Sequence, residues 1–359
     1  MSTEHFIAMD THCTSTDVAV VTGGGRVSMR TKCVTTIPAL VEAVTSVRRP
    51  RYVTFEEGPL ADWLFRNLAP HVDGVFVCEP RRNQLIAKDS DKDDPIDAGK
   101  LADLYRGGYL KRVHHPESLG RAVFKQHVAT YHDVVRQRVA AANRTLARLR
   151  RHGVFVREAD FASQDDREGL LRQLPASQLL REDMECLWKI YDTVLSQEEG
   201  LRKRLTHRAR REEMIRRFVR LPGVSWIRGA TFFVFVDTPW RFRGKSALWK
   251  YMGIGLDRKH SGQGAVRLRV TTQCNRPLKG MILGAAITAI TMGDNPFADQ
   301  HQHWIAGGLS PRNARRNVAR SLAATLWGMW KNQTEYRPEW VGQGGRSQVT
   351  ACGSSKTGQ

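Results

Sequence analysis

The sequence predicts an N-terminal α/β domain followed by a mainly helical remainder. Short apolar segments alternate with amphipathic segments over residues 1–110, and long stripes of apolar residues at helical spacing follow them. The charge changes between the same two parts. Residues 1–110 hold 13 Lys and Arg against 15 Asp and Glu, whereas the other 249 residues hold 43 against 21. A chain of 359 residues also exceeds the usual size of one domain, so two or more domains are expected.

Eight elements are predicted in the N-terminal part. The segments HFIAMD, DVAVVT and RVSMRTKCV have the pattern of three strands in a meander, with the glycines at 23–25 supplying a hairpin turn. A helix from Pro38 to Val47, the strand RYVTFEE, the helix PLADWLFRNL, the strand GVFVCEP and the helix PIDAGKLADLYRGG follow in turn. This alternation predicts that the antiparallel meander is extended by parallel strands.

Four acidic residues fall where such a sheet can gather ligands. Asp10 ends the first predicted strand and Glu56 ends the fourth, and ligands of open α/β sheets lie beyond the carboxyl ends of strands. Asp94 and Asp97 lie three residues apart at the start of the last helix, so they share one of its faces. Four carboxylates would offer hard oxygen ligands to Mg²⁺ or Mn²⁺, and two such ions can clamp the attacking and leaving oxygens of a phosphodiester.

Each acid also has a purely structural interpretation. Asp94 precedes a proline, which is typical of a helix N-cap, and Asp97 would interact favourably with the helix dipole. Asp10 could begin a turn, and Glu56 could be an exposed strand end, with Glu57 as a competing ligand. The convergence of three separate segments favours the metal site, because a ribonuclease H-like fold needs acids at these three places.

The middle of the chain, residues 111–220, is predicted to be a helical coiled-coil connector. Apolar residues at three- and four-residue steps run through two segments, with Arg138 interrupting the first stripe and Glu198 the second. Basic runs at 150–152 and 202–211 could follow a phosphate backbone or form a solvated surface, and the pattern leaves both interpretations open.

Residues 221–335 are predicted to form a mainly α unit with a small β element, and residues 336–359 a disordered tail. Pro222-Gly223 resembles the turn of a helix-hairpin-helix, although Trp226 and Arg228 depart from that pattern.

The Gly-rich stretch HSGQG carries a candidate nucleophile. A serine such as Ser261 is ordinarily a turn residue in a loop of this composition. Here it stands near several side chains that could bind nucleic acid and stabilise a charged phosphorane: Arg258, Lys259, His260, Arg267 and Arg269. The residues alone leave both roles open.

Together these segments resemble the IS110-type insertion-sequence transposases, a family with an N-terminal RuvC-like DEDD domain and a C-terminal serine-bearing domain. The similar stretches are FIAMDTH, TFEEGPLADWLFRNL, DKDDPIDAGKLADLYRGG, LPGVSW and YMGIGLDRKHSGQG, within residues 5–290. The resemblance implies that Ser261 joins covalently to DNA and that four carboxylates bind metal: Asp10, Glu56, Asp94 and Asp97. It also implies a structured noncoding RNA as guide and a homo-oligomer, either dimer or tetramer.

Composition argues against several other classes of protein. Six cysteines without a CxxC pair disfavour a zinc site or a disulfide framework and favour a reducing cytoplasm. No secretory signal is expected, and the longest apolar run, GMILGAAITAITMG, is too short to span a membrane. The positive charge favours nucleic acid as the partner.

The function expected from all of these features is that of a DNA transposase/recombinase. Two alternatives remain. One is a metal-dependent nuclease of the Holliday-junction type, in which Ser261 is structural. The other is a non-catalytic nucleic-acid-binding protein, in which the acids only cap helices and turns.

Overall fold

The computed structural model describes residues 4–80, 94–116, 118–259 and 267–341. The chain divides into two compact units, Met1–Ala122 and Val123–Gln359, and each is described by itself. The finer division at residues 110, 220 and 335 stays a prediction.

A five-stranded mixed sheet forms the centre of the N-terminal unit. Strands β1 (His5–Thr11), β2 (Ser15–Thr22) and β3 (Val27–Val34) make an antiparallel meander. Strands β4 (Arg51–Glu56) and β5 (Gly74–Cys78) continue the sheet in parallel, so the strand order is β3-β2-β1-β4-β5. The predicted meander with a parallel extension is therefore confirmed.

Helices cover both faces of this sheet. On one face lie α1 (Ile37–Thr45) and α2 (Ala61–Leu68), whose apolar residues share a core with the odd-numbered residues of β1 and β4, including Met9 and Phe55. On the other face lies α3 (Asp94–Arg106), which packs on a smaller cluster that includes Ala8, Val21 and Cys78. Successive strand residues point to opposite faces, so the even-numbered residues of β1 and β4 project towards α3.

Two long helices dominate the first part of the C-terminal unit. They are α4 (Leu119–Arg151), which begins just before the unit boundary, and α6 (Gln178–Ala209), and the short α5 (Gln164–Leu171) lies between them in sequence. They are antiparallel, because Arg138 contacts Glu198 while the later Leu149 shares a cluster with the earlier Met184. The prediction of a helical middle is confirmed, whereas a coiled coil stays a prediction.

The charges that interrupt the two apolar stripes pair with each other. Arg138 Nε lies 2.6 Å from Glu198 Oε2, and the same guanidinium also binds Glu158. Tyr191 donates its hydroxyl hydrogen to Glu158 over 2.8 Å, and burial together with this bond raises the pKa of Tyr191 to about 12. The two charges that interrupt the apolar stripes therefore neutralise each other where the helices pack.

The rest of the unit is mainly helical. Its helices surround a single large apolar cluster: α7 (Glu213–Phe218), α8 (Trp226–Val236), α9 (Lys245–Tyr251), α10 (Arg276–Met292), α11 (Pro296–Ala306) and α12 (Pro311–Asn332). The predicted small β element is the antiparallel hairpin of β6 (Leu256–Lys259) and β7 (Arg267–Val270). Of the predicted tail, residues 336–341 include a short 3-10 turn, Pro338–Trp340, and residues 342–359 lie outside the described residues. No helix in the described part of the chain is long and apolar enough to cross a membrane.

Candidate active site

Asp10 and Glu56 lie level with each other at the carboxyl edge of the sheet. Strands β1 and β4 run parallel with Met9 opposite Phe55. Asp10 and Glu56 follow these two residues, so they come next at the same level on the two strands. Met9 and Phe55 belong to the core under α1 and α2. Because side chains alternate between faces, the carboxylates of Asp10 and Glu56 both project to the face that carries α3.

Helix α3 crosses that face with its first turns at the same edge. Near its C-terminal end, the Tyr105 ring lies 5.4 Å from the Phe6 ring, measured between centroids. Asp97 precedes Tyr105 by eight residues, roughly 12 Å along a helix. Asp10 follows Phe6 by four residues, roughly 13 Å along a strand. The buried residues Leu101 and Ala102 pack over Ala8 between these two levels, so α3 runs opposite to β1 and brings Asp97 towards the level of Asp10.

The three acids Asp10, Glu56 and Asp97 are called the carboxylate edge below. Asp97 Oδ1 is buried and has no hydrogen-bond partner among the described residues. A buried carboxylate oxygen in that condition is costly unless a cation or donor meets it. This orphaned oxygen and the all-carboxylate donor set fit a hard divalent cation such as Mg²⁺ or Mn²⁺.

The fourth predicted ligand, Asp94, begins α3, and its side chain lies outside the described residues. Within the residues that the structure describes, no group of three or more His, Cys, Asp and Glu side chains lies close enough together to hold a metal ion. The fold therefore places Asp10, Glu56 and Asp97 towards one face and one end of the sheet but does not bring these three described residues to metal-binding distance. Metal binding by Asp10, Glu56, Asp94 and Asp97 stays a prediction.

Two residues that the sequence analysis missed continue this row across the sheet. Asp17 stands opposite Asp10, and Lys32 stands opposite Asp17, so all three side chains share the α3 face. Asp17 is only 3% exposed, and Lys32 Nζ lies 3.1 Å from its Oδ2. Burial, and secondly the charge of Asp17, raise the pKa of the Cys33 thiol. The signal that could have found Asp17 is the tight turn at residues 12–15, which sets the register between β1 and β2.

The predicted nucleophile is not among the described residues. Ser261 and His260 lie outside them, as do the side chains of four basic residues, Arg258, Lys259, Arg267 and Arg269. The backbone of the flanking strands is described, and Lys259 stands opposite Arg267 in the β6–β7 hairpin. The hairpin therefore collects the four basic positions on one element, and the roles of all six residues stay predictions.

The Pro222-Gly223 turn is packed against another helix. Gly223 has φ +79°, and a Cβ at this position would lie 2.2 Å from the carbonyl oxygen of Ala285 in α10. Leu221 and Val224 on either side are buried. The turn therefore needs glycine both for its backbone conformation and for close approach to α10.

Comparison with known proteins bears on the C-terminal unit. Residues 215–302 match the sequence model of a family described as Transposase IS116/IS110/IS902 family. The match supports an insertion-sequence transposase of the IS110 type. It covers the stretch from within α7 into α11, including the β6–β7 hairpin, and it makes DNA the expected partner. No curated protein matches the chain.

Proposed function

We propose that this protein is a DNA transposase/recombinase that cuts and rejoins strands with a divalent-metal site and a nucleophilic serine. The observation that carries the proposal is the carboxylate edge, in a chain whose residues 215–302 match a transposase family. The strand order β3-β2-β1-β4-β5, with antiparallel and then parallel neighbours, supports a ribonuclease H-like fold of the RuvC type for the N-terminal unit.

The metal ligands in this proposal are Asp10, Glu56, Asp94 and Asp97. A bound Mg²⁺ or Mn²⁺ would supply Lewis-acid stabilisation of the charge that develops on the phosphodiester oxygens. The protein's own contribution is to hold the carboxylates at one edge. Asp10 is held opposite Asp17 by the pairing of β1 with β2, and the buried Asp17 has Lys32 as its own partner.

Ser261 is the proposed nucleophile. Its Oγ attacks phosphorus, so a bond from Oγ to phosphorus forms as the bond from phosphorus to one sugar oxygen breaks, and that oxygen leaves with a proton. Attack by a sugar hydroxyl of the new strand reverses these steps and restores the serine, so the phosphoserine ester conserves the energy for rejoining. The phosphate charge would be balanced by Arg258, Lys259, His260, Arg267 and Arg269.

A structured noncoding RNA as guide and assembly into a dimer or tetramer complete the proposal. The net charge of +22 on residues 111–359 supports binding of a large polyanion.

The test is to incubate the protein with DNA of its own element ends, the element's RNA and Mg²⁺, and to separate the products on denaturing gels. Ser261→Ala removes only the hydroxyl, and Ser246→Ala removes an exposed hydroxyl elsewhere in the matched region as a control. We expect the wild type and Ser246→Ala to give joined strands and a covalent protein–DNA adduct. Ser261→Ala should bind DNA and give neither product.

Two outcomes would favour the alternatives. Wild-type amounts of product from Ser261→Ala would show that the hydroxyl is not the nucleophile and would favour the metal-dependent nuclease. DNA binding without any cleavage by the wild type would favour the non-catalytic binding protein.

A further inference from the structure

A cavity of about 810 Å³ lies within the C-terminal unit, where α4, α6, α8 and α10 meet. On one side it is lined by three cationic side chains of α6 and its C-terminal cap, Arg202, Lys203 and Arg210. Trp226, at the start of α8, lines it as well. No acidic side chain belongs to its lining among the described residues. This cavity is called the basic cavity below.

The three cations of the basic cavity differ from several other basic residues of the long helices, which are paired with carboxylates. Arg138 and Arg181, for example, are held by carboxylates at hydrogen-bond distance. Arg202, Lys203 and Arg210 are exposed, and they form no ion pair within the described parts of the chain. Three exposed positive charges on one side of the cavity favour an anionic ligand.

Trp226 gives the basic cavity a flat aromatic surface. The Arg210 guanidinium carbon lies 5.5 Å from the centroid of the Trp226 ring, so a planar cation and a planar ring stand together. Trp226 is half-buried, and it packs on the main core of the unit.

The α8 end that carries Trp226 is fixed by hydrogen bonds. Ser225 Oγ accepts from the Arg228 amide, and Arg228 Nη1 donates to Gly223 O over 2.6 Å and to Thr288 Oγ1 over 3.0 Å. Burial lowers the pKa of the Arg228 guanidinium from its ordinary value. The start of α8 is thus fixed before any ligand arrives, which reduces the backbone entropy lost on binding.

We propose that the basic cavity binds unpaired nucleotides of a single-stranded nucleic acid. One base stacks on Trp226, and the flanking phosphates meet Arg202, Lys203 and Arg210. The inference rests on the proposed function and deepens it, because it says that the C-terminal unit binds nucleic acid in its single-stranded form.

The dimensions of the basic cavity favour a single strand over a duplex. Its volume is that of a small-ligand pocket and accommodates one or two nucleotides, whereas a double helix is too wide to enter. Bases inside a duplex are also covered on both faces by their neighbours, so they cannot stack on a protein ring. An unpaired base has free faces, and stacking on an aromatic side chain tolerates any sequence.

The experiment measures anisotropy of labelled oligonucleotides bound to the full chain, with a 12-nucleotide DNA, an RNA of the same sequence, and the DNA duplex as probes. Trp226→Leu keeps an apolar contact with the core but removes the stacking surface, and Trp226→Phe restores a ring. Trp240→Leu, at an exposed tryptophan outside the basic cavity, is the control. Lys203→Gln and Lys189→Gln compare two exposed lysines of α6, inside and outside the basic cavity.

We expect Trp226→Leu to weaken single-strand binding about tenfold, the loss expected when one base can no longer stack, and Trp226→Phe to recover most of the affinity. Duplex binding should change little, and both control variants should bind like the wild type. The single strand that shows the loss, DNA or RNA, identifies the ligand. A 5-iodouracil placed along that strand should crosslink to the peptide that contains Trp226.

Wild-type binding of both single strands by a folded Trp226→Leu protein would overturn the inference. Equal losses for duplex and single strands would also overturn it, because the change would then act on the fold or on general charge. The outcome for the proposed function is separate. A protein that binds single strands through the basic cavity but never joins DNA would retain this inference and lose the transposase mechanism.

Discussion

The carboxylate edge of the N-terminal unit and the basic cavity of the C-terminal unit use charge in opposite ways. At the carboxylate edge, like charges are directed to one end of the sheet, and the buried Asp97 Oδ1 lacks a hydrogen-bond partner among the described residues. At the basic cavity, the like charges remain exposed on one side of a single helix. A carboxylate oxygen that is buried without a partner raises the free energy of the folded chain unless a cation neutralises it. Exposed cations in a row instead match an extended polyanion, whose binding releases counterions.

This difference separates chemistry from binding. In the proposed function, the carboxylate edge holds a small ion and the basic cavity holds a strand. Changes at the first should therefore abolish reaction with little effect on affinity, and changes at the second should weaken affinity in a salt-dependent way.

The largest effect is expected for Asp97→Asn. The amide keeps the size of the side chain but removes the charge that a divalent cation needs, so strand transfer should fall to background while DNA binding persists. Asp103→Asn, at an exposed position of the same helix, is the matched control and should remain active. The measurement is strand transfer at equal DNA occupancy, with thermal unfolding as a check. Unfolding of Asp97→Asn, together with loss of DNA binding, would favour a purely structural role.

A similarly large difference is expected between Glu56→Gln and Glu57→Gln. Strand alternation directs Glu56 to the α3 face, and the residue after it follows the end of β4. Strand transfer should be lost in Glu56→Gln and retained in Glu57→Gln. The opposite result would move the ligand by one residue and would show that the backbone turns at Glu56.

A moderate effect is expected from neutralising the basic cavity. Replacing Arg202, Lys203 and Arg210 together by Gln should reduce the slope of log affinity against log salt for a single strand by about 2, since each lost phosphate contact contributes about 0.7. Replacing Arg136 and Arg181, which already form ion pairs with carboxylates, should change the slope less. Equal changes per residue in the two variants would show that charge acts without regard to position.

The smallest effect concerns pH and one wall of the basic cavity. His132 Nε2 lies 2.9 Å from Thr231 Oγ1, and burial, followed by the charge of Arg136, lowers the pKa of His132. Neutral His132 thus favours the folded state. Its contribution to the unfolding free energy is present above the ordinary pKa of 6.5 and is lost as pH falls through the lower value of the folded protein. Urea unfolding from pH 7.5 to pH 5 should show a weaker pH dependence in His132→Gln than in the wild type. The same dependence in both proteins would exclude this residue as the cause.

Much of the N-terminal fold could be predicted because its signals are local. Strand alternation, glycine turns and the proline at the start of α1 each depend on a few neighbouring residues, and the structure contains all the elements they indicated. Asp10 and Glu56 could be assigned to strand ends for the same reason. Asp17 was missed because its importance depends on the register between β1 and β2, which is a property of the hairpin as a whole.

The C-terminal unit shows the same limit more clearly. Arg138 and Glu198 looked like interruptions of two stripes, and only the antiparallel packing of α4 on α6 makes them a pair. The run at 202–211 could be assigned neither to solvent nor to a ligand from its composition. The decisive property is which of its cations line the basic cavity, and that depends on α4, α8 and α10, which are distant in sequence.

The most direct test of the metal site replaces Mg²⁺ by Fe²⁺ in the full chain and adds ascorbate and peroxide. Radicals formed at a bound Fe²⁺ cut the nearby backbone, so the fragment ends report which segments surround the ion. We expect cuts near residues 10, 56 and 97 that Mg²⁺ competes away and that are absent from Asp97→Asn. Cuts confined to other segments, or an unchanged pattern in Asp97→Asn, would contradict the proposed metal site.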